Sequence, residues 1–398
     1  MAQCGYRTCS ASQICPLLLE NYLETVVEIL ESLQGIRAEE WNALTDGNPF
    51  VSHQFLHGLH TSGCASSRTG WKPCFLVVRR EGRVAAAVIL YAKYHSRGEY
   101  VFDHAWAQAY AQHGMDYYPK LVSAVPFTPV TGPRLLASND ADRATLLQAA
   151  VQFAQESGVS SLHILFPSTS DVEVMRNAGL MLRESVQFHW LNNGYDTFEQ
   201  FLESMTRDKR KKIRQDHRKV RDAGVTFRRV AGHEITKDDL DFFHTCYKLT
   251  YENHYSSPYL TKAFFTQIQS SMSENLLLII AEQGGEPIAA ALNFIGPDAM
   301  YGRYWGTTKF VSGLHFELCY MQAISYCIDV SIPVFEGGAQ GEHKLSRGLE
   351  ATPTWSAHWI ADVRFEDAIR AFLSQETAHM NEYIDELTER APFKRVPD

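Results

Sequence analysis

Residues 276–306 read LLLIIAEQGGEPIAAALNFIGPDAMYGRYWG, and the punctuation of this stretch decides the expected fold. An apolar run, 276–281, reaches a turn at Gly284 and Gly285. A second strand, 288–295, carries Ala289, Ala290 and Ala291 at its centre. Gly296, Pro297 and Asp298 turn the chain again, and an aromatic strand, 300–305, ends at Gly306. Turn residues at this spacing between apolar runs predict an antiparallel meander. The same order occurs earlier in the chain. A strand at 74–79, a turn at Glu81 and Gly82, a small-residue strand at 84–94 (with VAAAVIL) and an aromatic strand at 100–106 (within EYVFDHAW) repeat the design. Met twice in one order, the pattern predicts two related lobes, an α/β arrangement of mixed sheets.

Around these meanders the periodicity fills in the rest. In the first lobe the proline-bearing segment LVSAVPFTPVTGPRLL predicts an edge or interrupted strand. A helix at 141–157, strands at 161–166 and 180–190, and a short helix at 171–178 follow. Upstream, Leu18, Tyr22, Val26, Ile29 and Leu33 fall on one helical face, which predicts a helix over 17–33. The resulting division is a helical extension at 1–35, a first lobe at 36–192 and a second lobe at 193–398. His53, His57 and His60 recur at helical spacing, but no cysteine or carboxylate accompanies them, so they read as surface or packing histidines and no metal site is expected.

Composition bounds the function. A chain of 398 residues exceeds one ordinary core, and 45% hydrophobic with 21% charged residues marks a folded globular protein. No apolar run approaches the roughly 20 residues of a membrane span. The N-terminus has no cationic start leading into a sustained apolar run, so no secretory signal and a cytoplasmic location are expected. Eight cysteines show no CxxC spacing; Cys319 and Cys327 read as reduced core residues, while Cys4, Cys9 and Cys15 crowd the first residues. A net charge of -9 argues against nonspecific nucleic-acid binding by the whole surface.

One segment departs from that balance. Between residues 207 and 221, nine lysines or arginines face two aspartates, with Gly224 as the stop. Ile213 and Val220 give a thin apolar seam, so a helix at 206–223 presents most of its surface to water. Arg210 and Arg214 share one face, Lys211 and Arg218 another. A solvated charged helix and a phosphate-binding helix are both consistent with this pattern, and the phosphate would belong to a nucleotide cofactor or tRNA.

A second segment concentrates polar chemistry. Residues 332–355 read IPVFEGGAQGEHKLSRGLEATPTW. An apolar strand stops at Glu336; Gly337, Gly338 and Gly341 then permit close backbone approach. Glu342, His343, Lys344 and Arg347 follow, with Lys344 and Arg347 on one helical face. A strand ending in a glycine loop before a cationic turn can receive an anion or an oxygen gaining charge. In the first lobe Asp103, His104, Trp106, Tyr110, Tyr117, Tyr118 and Lys120 suggest a polar-aromatic cleft. Tyr255, Tyr259 and Tyr304 are candidates for an acceptor groove in the second.

The blocks NPFVSHQFL, GEYVFDHAWAQAYAQHGMDYYPKL, AVPFTPVTGPRLL, HYSSPYLTKAFF and FEGGAQGEHKLSRGLEATPTWSAHW resemble the FemAB-like family labelled peptidoglycan biosynthesis or recognition, related to the Fem peptidyltransferases. The resemblance implies tandem GNAT-like lobes and an amide-forming N-acyltransferase or aminoacyltransferase. It places Lys344 where Fem enzymes carry a lysine beside the reacting carbonyl, so Lys344 or Arg347 would stabilise the oxyanion, aided by backbone N–H groups near Trp305 and Gly306. Glu342 or His343 would act as base. Glu336, Gly337 and Gly338 would contact substrate. The pyrophosphate loop of coenzyme A-dependent GNAT enzymes matches neither GTTKFVSGLHFEL nor PVTGPRLL, which favours an aminoacyl-tRNA donor over acyl-CoA and assigns Arg210, Lys211, Arg214 and Arg218 to it. The acceptor would be an amine-bearing small molecule or peptide. The alternative is a noncatalytic protein that keeps the fold to bind a peptide, glycan or RNA.

Overall fold

Two antiparallel meanders form, one in each half of the computed structural model, which describes residues 25–338 and 341–394. The first half supplies strands β1 (Thr25–Leu30), β2 (Trp71–Pro73), β3 (Phe75–Arg80), β4 (Arg83–Val88), β5 (Tyr91–Lys93), β6 (Lys120–Ser123), β7 (Leu135–Ala137), β8 (Ser161–Leu165) and β9 (Met181–Leu191). The second supplies β10 (Val225–Ala231), β11 (Leu276–Gln283), β12 (Glu286–Ile295), β13 (Ala299–Thr307), β14 (Val334–Glu336) and β15 (Glu350–Ile360). One sheet runs β1-β3-β4-β7; the other runs β10-β11-β12-β13-β14-β9-β15-β8-β6-β5-β2.

Sequence chemistry accounts for this order. The uninterrupted apolar start of β11 is buried between β10 and β12, as expected of a strand covered on both faces. Small residues let a helix lie directly on the meander. A Cβ at Gly306 would stand 1.9 Å from the Cys246 carbonyl oxygen, so the helix Lys237–Asn253 reaches β13 only because Gly306 has none. Thr250 Oγ1 of the same helix donates to the Trp305 carbonyl at 2.8 Å.

Each half contains one parallel pair in an otherwise antiparallel neighbourhood: β6 beside β8, and β13 beside β14. The halves also exchange their last strands. The first half's β9 lies between β14 and β15, and the second half's β15 lies between β9 and β8. The two halves are therefore stitched into one continuous sheet.

Three expectations are corrected. Residues 25–30 of the expected 17–33 helix form strand β1; its Thr25, Val26, Val27 and Ile29 suit a pleated edge paired with β3, and the apolar spacing alone does not separate the two states. Residues 17–24, with Cys4, Cys9 and Cys15, lie outside the described residues. The aromatic strand expected at 100–106 is a loop followed by the helix His104–Gln112, whose alanine-rich sequence favours helix; β6 takes the third-strand position. The small-residue strand expected at 84–94 divides into β4 and β5, which belong to different sheets. The basic helix spans Arg207–Asp222. Among the described residues Cys64, Cys74, Cys246, Cys319 and Cys327 are free, and no helix is long and apolar enough to cross a membrane.

Candidate functional site

The parallel pair of the second half is short. β13 and β14 are in register only from Ala299 with Val334 to Tyr301 with Glu336, after which β13 continues to Thr307 without that neighbour. The chain leaves Glu336 through Gly337 and Gly338 instead. At the same point the ladder between β12 and β13 slips: Leu292 faces Tyr304 and Asn293 faces Gly302, so Arg303 is the extra residue of a bulge. A bulge re-aims the side chain it frees. Gly302 permits it, since a Cβ there would meet the Phe335 ring at 3.0 Å.

Arg303, Glu336 and Lys344 converge on this opening. Arg303 Nη2 donates to Glu336 Oε2 at 3.0 Å, with both side chains under a tenth exposed. Lys344 is 3% exposed, and its Nζ donates to the Gly338 carbonyl at 2.7 Å. A Cβ placed on Gly338 would stand 3.8 Å from Lys344 Nζ and 4.0 Å from Arg303 Nη1, so the missing side chain keeps open the space between the two cations. Burial, reinforced by Arg303, pushes the Lys344 ammonium down to about 7. Burial pushes the Glu336 carboxyl up to about 7 against the pull of Arg303. Opposite Glu336 on β9 stands His189, driven down to about 3 by burial and by the charges of Arg303 and Lys344. Its Nε2 lies 3.3 Å from Gln187 Oε1, and Gln187 donates to the Pro129 carbonyl at 3.0 Å.

The neighbours of Lys344 face elsewhere. Arg347 donates from Nη2 to Asp216 Oδ2 of the basic helix at 2.9 Å and lies 4.1 Å over the Phe316 ring. Glu342 is exposed, accepting from Tyr383 Oη at 2.7 Å and from Arg390 at 2.9 Å. His343 is exposed beside Phe316, in a group of rings where Trp305 and His315 stand 4.3 Å apart. Lys209, Glu342, His343, Leu345, Ser346 and Arg390 line a pocket of about 450 Å³ between the cationic turn and the start of the basic helix. Of the four residues expected to act together, the fold brings only Lys344 to the β13–β14 opening.

The family described as peptidoglycan biosynthesis/recognition, FemAB-like, matches residues 32–395. The chain belongs to the FemAB-like family. No curated relative matches it. Among solved structures, this FemAB-like protein is similar to FemX (12% identity, TM-score 0.53, covering 87% of this chain and 100% of that one). It is also similar to L-PGS from Bacillus licheniformis (9% identity, TM-score 0.52, covering 82% and 92%). At these identities the likeness establishes the fold.

The remaining expected residues of the FemAB-like chain separate into three places. In the first lobe Asp103, Tyr117 and Lys120 meet, but in a sealed network rather than a cleft. Lys120 Nζ donates to Glu99 Oε2 at 2.8 Å and to Asp103 Oδ2, and Tyr117 Oη donates to Asp103 at 2.7 Å. The chain of contacts continues through His163 Nε2 (2.9 Å from Tyr117 Oη) to His358 on β15, whose Nδ1 is 2.7 Å from His163 Nδ1. Trp106 covers these histidines, Tyr110 stacks on Phe365 at 4.0 Å, and Tyr118 Oη meets Ser96 Oγ at 2.8 Å. His104 is exposed and outside the network. Tyr251, Tyr259 and Tyr304 pack against the core to which both halves contribute, with Tyr100 near enough to influence their ionisation, whereas Tyr255 is fully exposed. On the basic helix Arg214 pairs with Glu199, Arg210 lies over the Glu203 carbonyl at 3.5 Å, and Lys211 with Arg218 borders a cavity of about 350 Å³.

Arg303, His189, Gln187, His163, His358 and Asp216 escaped the sequence reading. Only Arg303 had a local signal: a glycine inside a strand, Gly302, marks a bulge or a close approach. The histidines become partners through strand exchange, which no local pattern encodes.

Proposed function

We propose that this FemAB-like protein joins an activated acyl or aminoacyl group to an amine, with Lys344 as the proton-transferring residue. Family membership and fold support acyl or peptidyl transfer in general. The observation that supports the finer reading is the buried Lys344 amine held near neutrality beside Arg303 at the opened end of β13 and β14. An amine of this kind can accept a proton at pH 7, which an exposed lysine cannot.

In this reading the acceptor nitrogen attacks the donor carbonyl, forming the C–N bond and moving the carbonyl π pair onto oxygen. Lys344 Nζ takes the proton that the nitrogen releases. The resulting ammonium then lies beside the oxyanion it has helped to form. Collapse breaks the C–O bond of an aminoacyl ester or the C–S bond of a thioester, and Lys344 returns its proton to the leaving group. The basic helix and the pocket bordered by Lys209, His343 and Arg390 would carry the donor's phosphates, an aminoacyl-tRNA or an acyl-CoA.

The test is transfer to a panel of amines from charged tRNA and from acyl-CoA, comparing wild type with Lys344→Met. General-base loss typically costs 10²–10⁴-fold, so a drop of about that size is expected. Unchanged turnover would remove Lys344 from the chemistry. Activity that survives ribonuclease and requires coenzyme A would assign the thioester donor.

A further inference from the structure

Where Arg303 and Tyr304 pack against the first half, buried hydrogen-bond donors outnumber the acceptors that meet them among the described residues. Arg303 is almost wholly buried and uses Nη2 on Glu336, yet its Nε–H meets no partner among the described residues. The Tyr304 hydroxyl is also buried, and among the described residues it makes no hydrogen bond of good geometry: it lies beside the Thr128 hydroxyl, which gives its own proton to the Pro126 carbonyl at 3.1 Å and offers Tyr304 a lone pair at most. Tyr100 from the first lobe and Tyr251 and Tyr259 from the second lie close enough to Tyr304 and Arg303 to act on one another's ionisation. Burial drives the phenols of Tyr100, Tyr251 and Tyr304 upward, so they remain O–H donors. Tyr100 holds a positive φ of 62° and Phe127, stacked at 4.6 Å on Tyr259, one of 60°. Bulky residues persist in that region only where surroundings enforce it, and such strain collects at ligand sites.

Buried donors without acceptors are costly unless a ligand completes them. The carboxylate that approaches Arg303 is Glu336, and it satisfies one nitrogen only. We propose that Arg303 and Tyr304, walled by Tyr100, Tyr251 and Tyr259, bind an anionic oxygen group of the acyl acceptor, a carboxylate or a phosphate. An ammonium in the same place would face the Arg303 charge, so the amine of that acceptor points away from it, toward Lys344. The assignment of the bound molecule as acceptor rests on the transfer reaction proposed above; the anion site itself does not.

The experiment is calorimetric titration of the full chain, without donor, using sodium phosphate in one arm and sodium succinate in the other. About 0.2 M sodium chloride screens weak binding along the exposed basic helix. Saturable binding is expected with at least one anion, and the preferred one identifies the group. Tyr304→Phe removes a single hydroxyl and is expected to weaken it about tenfold, as for hydrogen bonds to charged groups. Arg303→Gln is expected to abolish it; should that variant fail to fold, Tyr304→Phe decides. Absence of saturation with both anions, or affinity unaltered by Tyr304→Phe, overturns the proposal. Anion binding in a protein that transfers no acyl group would sink the transfer reaction and leave this site standing.

Discussion

Lys344 and Arg347 are three residues apart and equally buried, but their environments differ in sign. Arg347 meets a carboxylate, Asp216, while among the described residues Lys344 meets the Gly338 carbonyl, the Phe188 ring and the cation Arg303. Removing each should therefore move stability in opposite directions. Lys344 titrates near 7 in the folded chain and near 10.5 when unfolded, so the unfolded chain binds more protons between those values. Stability is lost as pH falls from the unfolded value toward 7 and stays low beneath it. Lys344→Met is thus expected to be far less active yet more stable at pH 7, by on the order of a few kcal/mol, with the gain shrinking by pH 10. Arg347→Ala leaves Asp216 with the exposed Lys212 and Lys219 and is expected to lose about 1.5–3 kcal/mol. Urea unfolding at the two pH values measures both. If Lys344 acts as the base, kcat rises as pH climbs through about 7; a fall over that range would mean the ammonium is the working form.

At the scale of elements, the basic helix and the sealed network of the first lobe show how much could be read in advance. The helix was legible because one surplus charge sign and an apolar seam are local properties. What the pattern could not reveal is that Asp216 faces inward to Arg347 while the half-exposed His217 reaches the buried Glu317 at 3.1 Å, anchoring one side and leaving Lys211 and Arg218 outside. If that outer face tracks donor phosphates, each lysine or arginine replaced there should flatten the slope of log K against log salt by just under one. A slope indifferent to the double variant Lys211→Ala, Arg218→Ala would exclude the helix from donor binding. The first-lobe residues were legible as chemistry but not as geometry. Alanine-rich helix propensity, not the aromatic pattern, governed residues 104–112, and burial closed around Asp103 and Lys120 where a cleft was expected. Asp103 is held well below the ordinary carboxylate range, Lys120 outweighing its burial, and burial lowers His163 and His358. For the lowered carboxylate and the lowered imidazoles alike, the unfolded chain binds the extra protons in acid. Stability should fall as pH drops below the unfolded histidine value of about 6.5, and further below about 4. Asp103→Asn, which leaves Lys120 facing Glu99 alone, is expected to cost about 3–5 kcal/mol at neutral pH, measured by urea unfolding.

For the whole molecule, the exchange of β9 and β15 matters more than the duplication that the repeated meander announced. Each parallel pair continues into a strand borrowed from the other half, and each borrowed strand carries a histidine into the neighbouring charge cluster. Glu336 on β14 faces His189 on β9, and His163 on β8 faces His358 on β15. A lobe cut away from its partner would keep its meander but lose the strand that covers its parallel pair, exposing backbone donors and acceptors along β8 or β14. Two lobes joined only by a linker would unfold in two steps. Here the shared strands make the halves one cooperative unit, so calorimetry of the full chain is expected to give a single transition whose van't Hoff and calorimetric enthalpies agree. Residues 25–192 expressed alone, with β8 lacking β15, are expected to be largely unfolded or aggregated, and to recover structure only when coexpressed with 193–394. Two resolved transitions, or a soluble and cooperatively folded first half, would show that the borrowed strands decorate the lobes without uniting them.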